Sequence, residues 1–135
     1  MNFIFSFLFI PQALLFMKNF KDLLIWQRSH QFTLTIYKTS ASFPAEEKFG
    51  LTSQIRRSSA SLPTNIAEGC GRQSDAELHR FLTIAMGSAS ELEYQLLLAK
   101  DLSYLSESSF SLLTLELIEI KKMLNAYIQK VKRNC

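Results

Sequence analysis

A chain of 135 residues, 47% hydrophobic and 20% charged, can bury the core of one domain and is too apolar to be intrinsically disordered. Four glycines and three prolines punctuate it too rarely for many short strands and favour a few long helices. The net charge of +3 is uneven: residues 18–80 carry nine Lys/Arg against six Asp/Glu, residues 81–135 six of each, which suits either contact with nucleic acid or an acidic partner, or an ordinary solvated surface.

The first segment, MNFIFSFLFIPQALLFM, is almost wholly hydrocarbon and aromatic. It lacks the basic start and small-residue cleavage site of a secretory signal, and Pro11 breaks it short of a membrane span. At Met17 the chain turns amphipathic, so residues 1–16 are expected to be an apolar extension outside the native fold, with Met17 as the natural start. A membrane-dipping anchor is the rival, and the native N-terminal peptide decides between them. Residues 17–135 form the folded domain.

From Asn19 to about Ser42 apolar residues recur at helical spacing, in two stripes. Leu23, Trp26, His30, Leu34 and Tyr37 make one; Ile25, Phe32 and Ile36 make the other. At about 100° per residue they lie on separate faces. A helix greasy on two faces is expected to be buried on both, which predicts self-association through Ile25, Phe32 and Ile36. Asn19 is the expected N-cap.

RRSSASLPTNIAEGCGR, residues 56–72, has the composition of a linker and a Gly-x-Gly at Gly69–Gly71. Its periodicity says otherwise. From Leu51, the apolar residues Ile55, Leu62, Ile66 and Cys70 keep one helical face, with Ser58 or Ser59 in the gap, while Gln54, Arg57, Ser61, Asn65, Glu68 and Arg72 keep another. This is a second helix, expected to kink at Pro63, which leaves the Ser59 carbonyl without its amide. Gly69 and Gly71 are expected to end it as C-cap residues. A dinucleotide loop would need a strand before it and a helix after it.

Ser74-Asp75-Ala76-Glu77 matches a capping box and opens a third helix with the seam Leu78, Leu82, Ala85, Ala89, Leu92, Leu96 and Ala99. A second stripe, Phe81, Ile84, Leu98 and Leu102, extends the expected self-association surface through Phe81 and Ile84. Ser106 caps a fourth helix with Phe110, Leu113, Leu117, Ile120, Leu124, Tyr127 and Val131 on its seam, ending in a basic tail. Short connections make neighbours antiparallel, so the fold class is an all-α, up-and-down four-helix bundle.

Chemistry is sparse. A di-iron site would need Glu-x-x-His on two helices, and no such spacing occurs. No Gly-x-Ser-x-Gly elbow is present, and Cys70 and Cys135 have neither metal-ligand nor disulfide spacing, which suits a reducing cytoplasm. His30 reads as a hydrogen-bonded core histidine and His79 as a solvated one. No catalytic residue, metal ligand, cofactor or small-molecule substrate is indicated. The candidate nucleic-acid-binding residues are Lys18, Lys21, Arg28, Arg56, Arg57, Arg72 and Arg80. Arg57 shares a stripe with Glu68 and could equally be held in a structural pair.

KNFKDLLIWQRSHQF, FPAEEKFGLTSQIRRSSASLPTNIAEGCGR and ELHRFLTIAMGSASELEYQLLLAKDL together resemble the 23S rRNA intervening-sequence protein family, from about Met17 to Arg133. The resemblance implies a four-helix bundle assembled as a ring-like homopentamer, without enzymatic activity. It extends to the accessory variability protein of diversity-generating retroelements, a basic pentamer that binds nucleic acid and a reverse transcriptase. Arg56, Arg57, Pro63, Asn65, Glu68, Gly69 and Arg72 carry the signature, with Cys70 where a larger apolar residue is expected. The functional expectation is RNA or DNA association through a basic surface, in the cytoplasm. The alternative is a scaffold that recruits a polymerase-type protein without touching nucleic acid.

Overall fold

A computed structural model describes residues 18–135; the expectations for residues 1–16 and Met17 lie outside the described residues. Four helices follow in order: α1 (Leu24–Ser40), α2 (Leu51–Cys70), α3 (Asp75–Asp101) and α4 (Glu107–Lys132), with single 3-10 turns at Phe20–Asp22 and Ala45–Glu47. Among the described residues there is no strand. Helices adjacent in sequence pack closely on one another, whereas α1 and α4 meet sparsely. The fold is the expected all-α four-helix bundle.

The seams of α2, α3 and α4 fill the core, with Leu62, Ile66, Leu82, Leu92, Leu96, Leu117, Ile120 and Leu124 shut off from solvent. Ser74 and Ser106 cap as expected: Ser74 Oγ accepts from Glu77 N at 3.2 Å, and Ser106 Oγ from Ser109 N at 3.1 Å. Glu77 does not complete the capping box; its carboxylate accepts from Arg80 instead. Asn19 caps the 3-10 turn rather than α1, accepting from Lys21 N at 3.1 Å, and α1 begins five residues later.

Helix α2 runs without interruption through Pro63. The carbonyl that proline strands is taken over by another helix: Thr33 Oγ1 on α1 donates to Ser59 O at 2.8 Å. Gly69 lies inside α2, and Gly71 takes the C-cap with an ordinary φ of −84°, so no left-handed glycine ends this helix. What Gly69 provides is closeness. A Cβ there would meet Leu78 Cδ1 and Phe81 Cβ, both at 3.0 Å, so α3 crosses where a larger residue would have to push its neighbours aside. The left-handed residue is Ser103 (φ 64°), which ends α3 with a 2.8 Å bond from Tyr104 N to Ala99 O.

The expected self-association surface is corrected by this packing. Ile25, Phe32 and Ile36 belong to the subunit's own core, and Phe81 is buried too; of the five residues only Ile84, 41% exposed, reaches solvent. The two stripes of α1 exchange roles for a physical reason. Ile25, Phe32 and Ile36 have no polar atom and go inward, while Leu34, equally apolar, shares the outer face of the helix and stays exposed. Trp26, His30 and Tyr37 carry polar tips and stay at the rim, where such side chains keep one end wet. His30 is accordingly stacked on Trp26, ring centroids 5.0 Å apart, rather than enclosed in the core.

Candidate nucleic-acid interface

The up-and-down order brings the start of α1, the end of α2, the start of α3 and the end of α4 to one end of the bundle. Lys18, Lys21, Arg72, Arg80, Lys130, Lys132 and Arg133 gather there, with Asp22, Glu68, Asp75 and Glu77. Two carboxylates are consumed locally: Glu68 by Arg72 at 3.1 Å and Glu77 by Arg80 at 2.8 Å. Both arginines also sit over Phe81, 4.7 and 4.5 Å from its ring centroid, which is what shields that ring. Hydrogen bonding to Arg80 holds the Glu77 carboxyl below its usual range.

Lys18, Lys21, Lys130, Lys132 and Arg133 have no carboxylate at ion-pair distance among the described residues. Lys18 and Lys130 flank a groove of about 430 Å³ between the start of α1 and the end of α4, floored by Leu23, Tyr127 and Val131. Lys18 also borders a second depression, with Arg72, Ser74 and Asn134, over the α3 N-terminus. Burial pushes the Tyr127 phenol up to about 12 and raises the Cys70 thiol as well.

The structure does not bring the seven candidate cations onto one face. Arg28 lies in the second turn of α1 but its guanidinium is turned to α4, gripping Glu116 with two bonds, 3.2 and 2.8 Å. Arg56 closes the end of α1, donating to Ser40 Oγ at 2.8 Å and Tyr37 O at 3.1 Å with its guanidinium over the Tyr37 ring. Arg57 pairs with Glu91 of α3 and with Gln54, not with Glu68. These three hold helices together. Lys18, Lys21, Arg72 and Arg80 share the basic end, and the C-terminal Lys130, Lys132 and Arg133 join them. Their α4 position was legible as the basic tail, but only the topology sets it beside Lys18.

A polar seam between α2 and α3 also escaped the hydrophobic pattern. Ser58 Oγ donates to Gln95, the hydroxyls of Ser61 and Ser88 meet at 2.8 Å, and Asn65 Nδ2 donates to Ser61 O at 2.8 Å. Among the described residues no three His, Cys, Asp or Glu side chains converge as metal ligands, and no helix is long and apolar enough to cross a membrane.

No curated protein matches the chain. A crystal structure of a protein of unknown function from the S23 ribosomal protein family of Bacteroides thetaiotaomicron is similar, at 30% identity and a TM-score of 0.74, covering 78% of this chain and 96% of that one. Residues 21–126 match the 23S rRNA-intervening sequence proteins, a span holding all but the outermost turns of the bundle. The chain belongs to the 23S rRNA-intervening sequence protein family.

Proposed function

We propose that this protein is a non-enzymatic, homo-oligomeric bundle of the cytoplasm that associates with RNA through the basic end of its bundle. One observation carries the reading: Lys18, Lys21, Lys130, Lys132 and Arg133 stand together without carboxylate partners among the described residues, whereas Arg28 and Arg57 are spent on helix-to-helix pairs. Unpaired cations can neutralise phosphates and release condensed counterions, a sequence-independent attraction. The family's description, 23S rRNA-intervening sequence protein, is the reason RNA is named here ahead of other polyanions. Repetition of the basic end around a ring, pentameric as the resemblance implies, multiplies a weak site by avidity.

The test is retention on RNA across a salt series. Affinity that falls steeply and linearly with log salt supports the proposal; absent binding at low salt, or binding indifferent to salt, removes it. The scaffold reading has its own support in the exposed Leu112 and Leu115 on α4, which suit a protein partner such as a polymerase. It predicts stable co-purification with one protein and little retention on RNA.

A further inference from the structure

One bulky side chain is left uncovered. Phe49, in the connection before α2, is 88% exposed, more than any other large hydrophobic among the described residues. Beside it lies a groove of about 430 Å³ between α2 and α3, floored by Leu51, Tyr94, Leu98 and Leu102 and edged by Glu47 and Glu91. Glu47 and Leu51, two residues to either side of Phe49, line that groove, yet Phe49 does not enter it. Knob and socket adjoin on one surface and remain unjoined within the subunit.

Their charges match as well. Lys48 Nζ lies 5.5 Å from the Phe49 ring centroid and has no carboxylate at ion-pair distance among the described residues, so the knob is a phenyl group with an ammonium beside it. On the socket, Arg57 and Gln95 both donate to Glu91 Oε2, leaving Oε1 without a partner among the described residues. Glu47 accepts from Leu51 N at 3.3 Å on one oxygen and from Tyr104 Oη at 3.0 Å on the other. Of the four carboxylate oxygens at the socket's edge, Glu91 Oε1 is therefore the one with no donor on it among the described residues.

We propose that Phe49 of one subunit seats in the α2–α3 groove of a second copy, with Lys48 meeting Glu91. This rests on the homo-oligomeric part of the reading above and supplies its contact, in place of the buried Ile25, Phe32, Ile36 and Phe81. A second copy is the occupant because copies of this chain supply both a socket for the knob and a knob for the socket, whereas an unrelated peptide in the groove leaves Phe49 bare. An aromatic anchor in an apolar pocket with a charged edge is the usual make-up of an interface centre. Each subunit offers one knob and one socket, and such a head-to-tail contact repeats until the rotation closes a ring.

The experiment is the mass of the full chain in solution by light scattering, for wild type, Phe49→Ala and Tyr94→Lys, with circular dichroism to show that both variants fold. Both substitutions are at exposed positions, Tyr94 being 61% exposed. Wild type is expected to be a multimer and each variant a single subunit. Mixed in equal amounts, the variant lacking the knob and the variant with the blocked socket are expected to form a dimer and nothing larger, since one sound contact survives per pair. A Phe49→Ala protein that keeps the wild-type mass, or a mixture that stays monomeric, overturns the proposal and leaves self-association standing. A monomeric wild type overturns both, while RNA retention, measured separately, judges the rest of the reading.

Discussion

Thr33 donates its hydroxyl to the carbonyl of Ser59, at 2.8 Å, which is the group that Pro63 deprives of its helical partner. Both residues are buried, so this carbonyl has no recourse to water. A proline within a helix normally costs about 3 kcal/mol. Here a side chain from the neighbouring helix recovers part of that, and fixes the register of α1 on α2 as it does so.

Thr33→Val, nearly isosteric, is therefore expected to destabilise the fold by about 1–3 kcal/mol, the cost of a buried acceptor left unsatisfied. In a Pro63→Ala background the restored amide at position 63 can serve Ser59, and the same substitution is expected to cost at least about 1 kcal/mol less. Urea unfolding of the four proteins measures the coupling. Strict additivity would show that the bond does not compensate for the proline.

The glycines separate by environment. Gly69→Ala forces a methyl to 3.0 Å from Leu78 and Phe81 and is expected to cost about 1–3 kcal/mol through overpacking. Gly87→Ala, mid-helix in α3 with nothing within 4 Å of the added carbon, is expected to stabilise by about 0.5–1 kcal/mol. Thermal midpoints moving in opposite directions are the expected readout; a midpoint for Gly69→Ala that is unchanged or raised would contradict the packing at Gly69.

Alkaline stability follows from Tyr127. Burial raises its folded pKa from 10.0 to about 12. Below pH 10 the phenol is protonated in both states and its contribution is complete. Between pH 10 and 12 the unfolded chain releases the proton while the folded chain retains it, so stability falls as pH rises. Tyr127→Phe should flatten this part of the curve in urea midpoints taken at pH 9 and 11. An unchanged slope would mean that the buried phenol is not responsible.

The basic end makes a residue-level prediction about RNA. Lys21→Glu and Lys130→Glu are expected to weaken retention across unrelated sequences and to lower the salt slope by about one for each phosphate no longer neutralised. Arg57→Ala, which removes a guanidinium tied to Glu91, is expected to leave the slope unchanged. Filter binding at several salt concentrations separates these outcomes. If Arg57→Ala proved the more damaging, the interface would lie along α2 and α3 instead.

The seams of α2, α3 and α4 were legible from spacing, because a repeat of three and four apolar steps has one geometric solution. The Ser74 and Ser106 caps were legible because a hydroxyl before an amphipathic run has a local task. What spacing could not rank was the two stripes of α1. The distinction was chemical: His30 and Tyr37 need a wet end, and Ile25 and Ile36 do not. The partners of Arg28, Arg56 and Arg57 stayed hidden because each reaches a different element, across 88, 16 and 34 residues of sequence. Thr33 gave no sign of its role, since the need it meets is created by a proline thirty positions away.

The sparse meeting of α1 and α4 gives the subunit the character of an open book, with pages bound 1–2, 2–3 and 3–4 and scarcely from last to first. Arg28 and Glu116 act as its clasp. Lys18 stands on one cover and Lys130 on the other, either side of the groove between them. The sparsest helix-to-helix contact of the subunit is thus the one beneath its unpaired cations, and on the RNA reading proposed above any opening there would change their spacing.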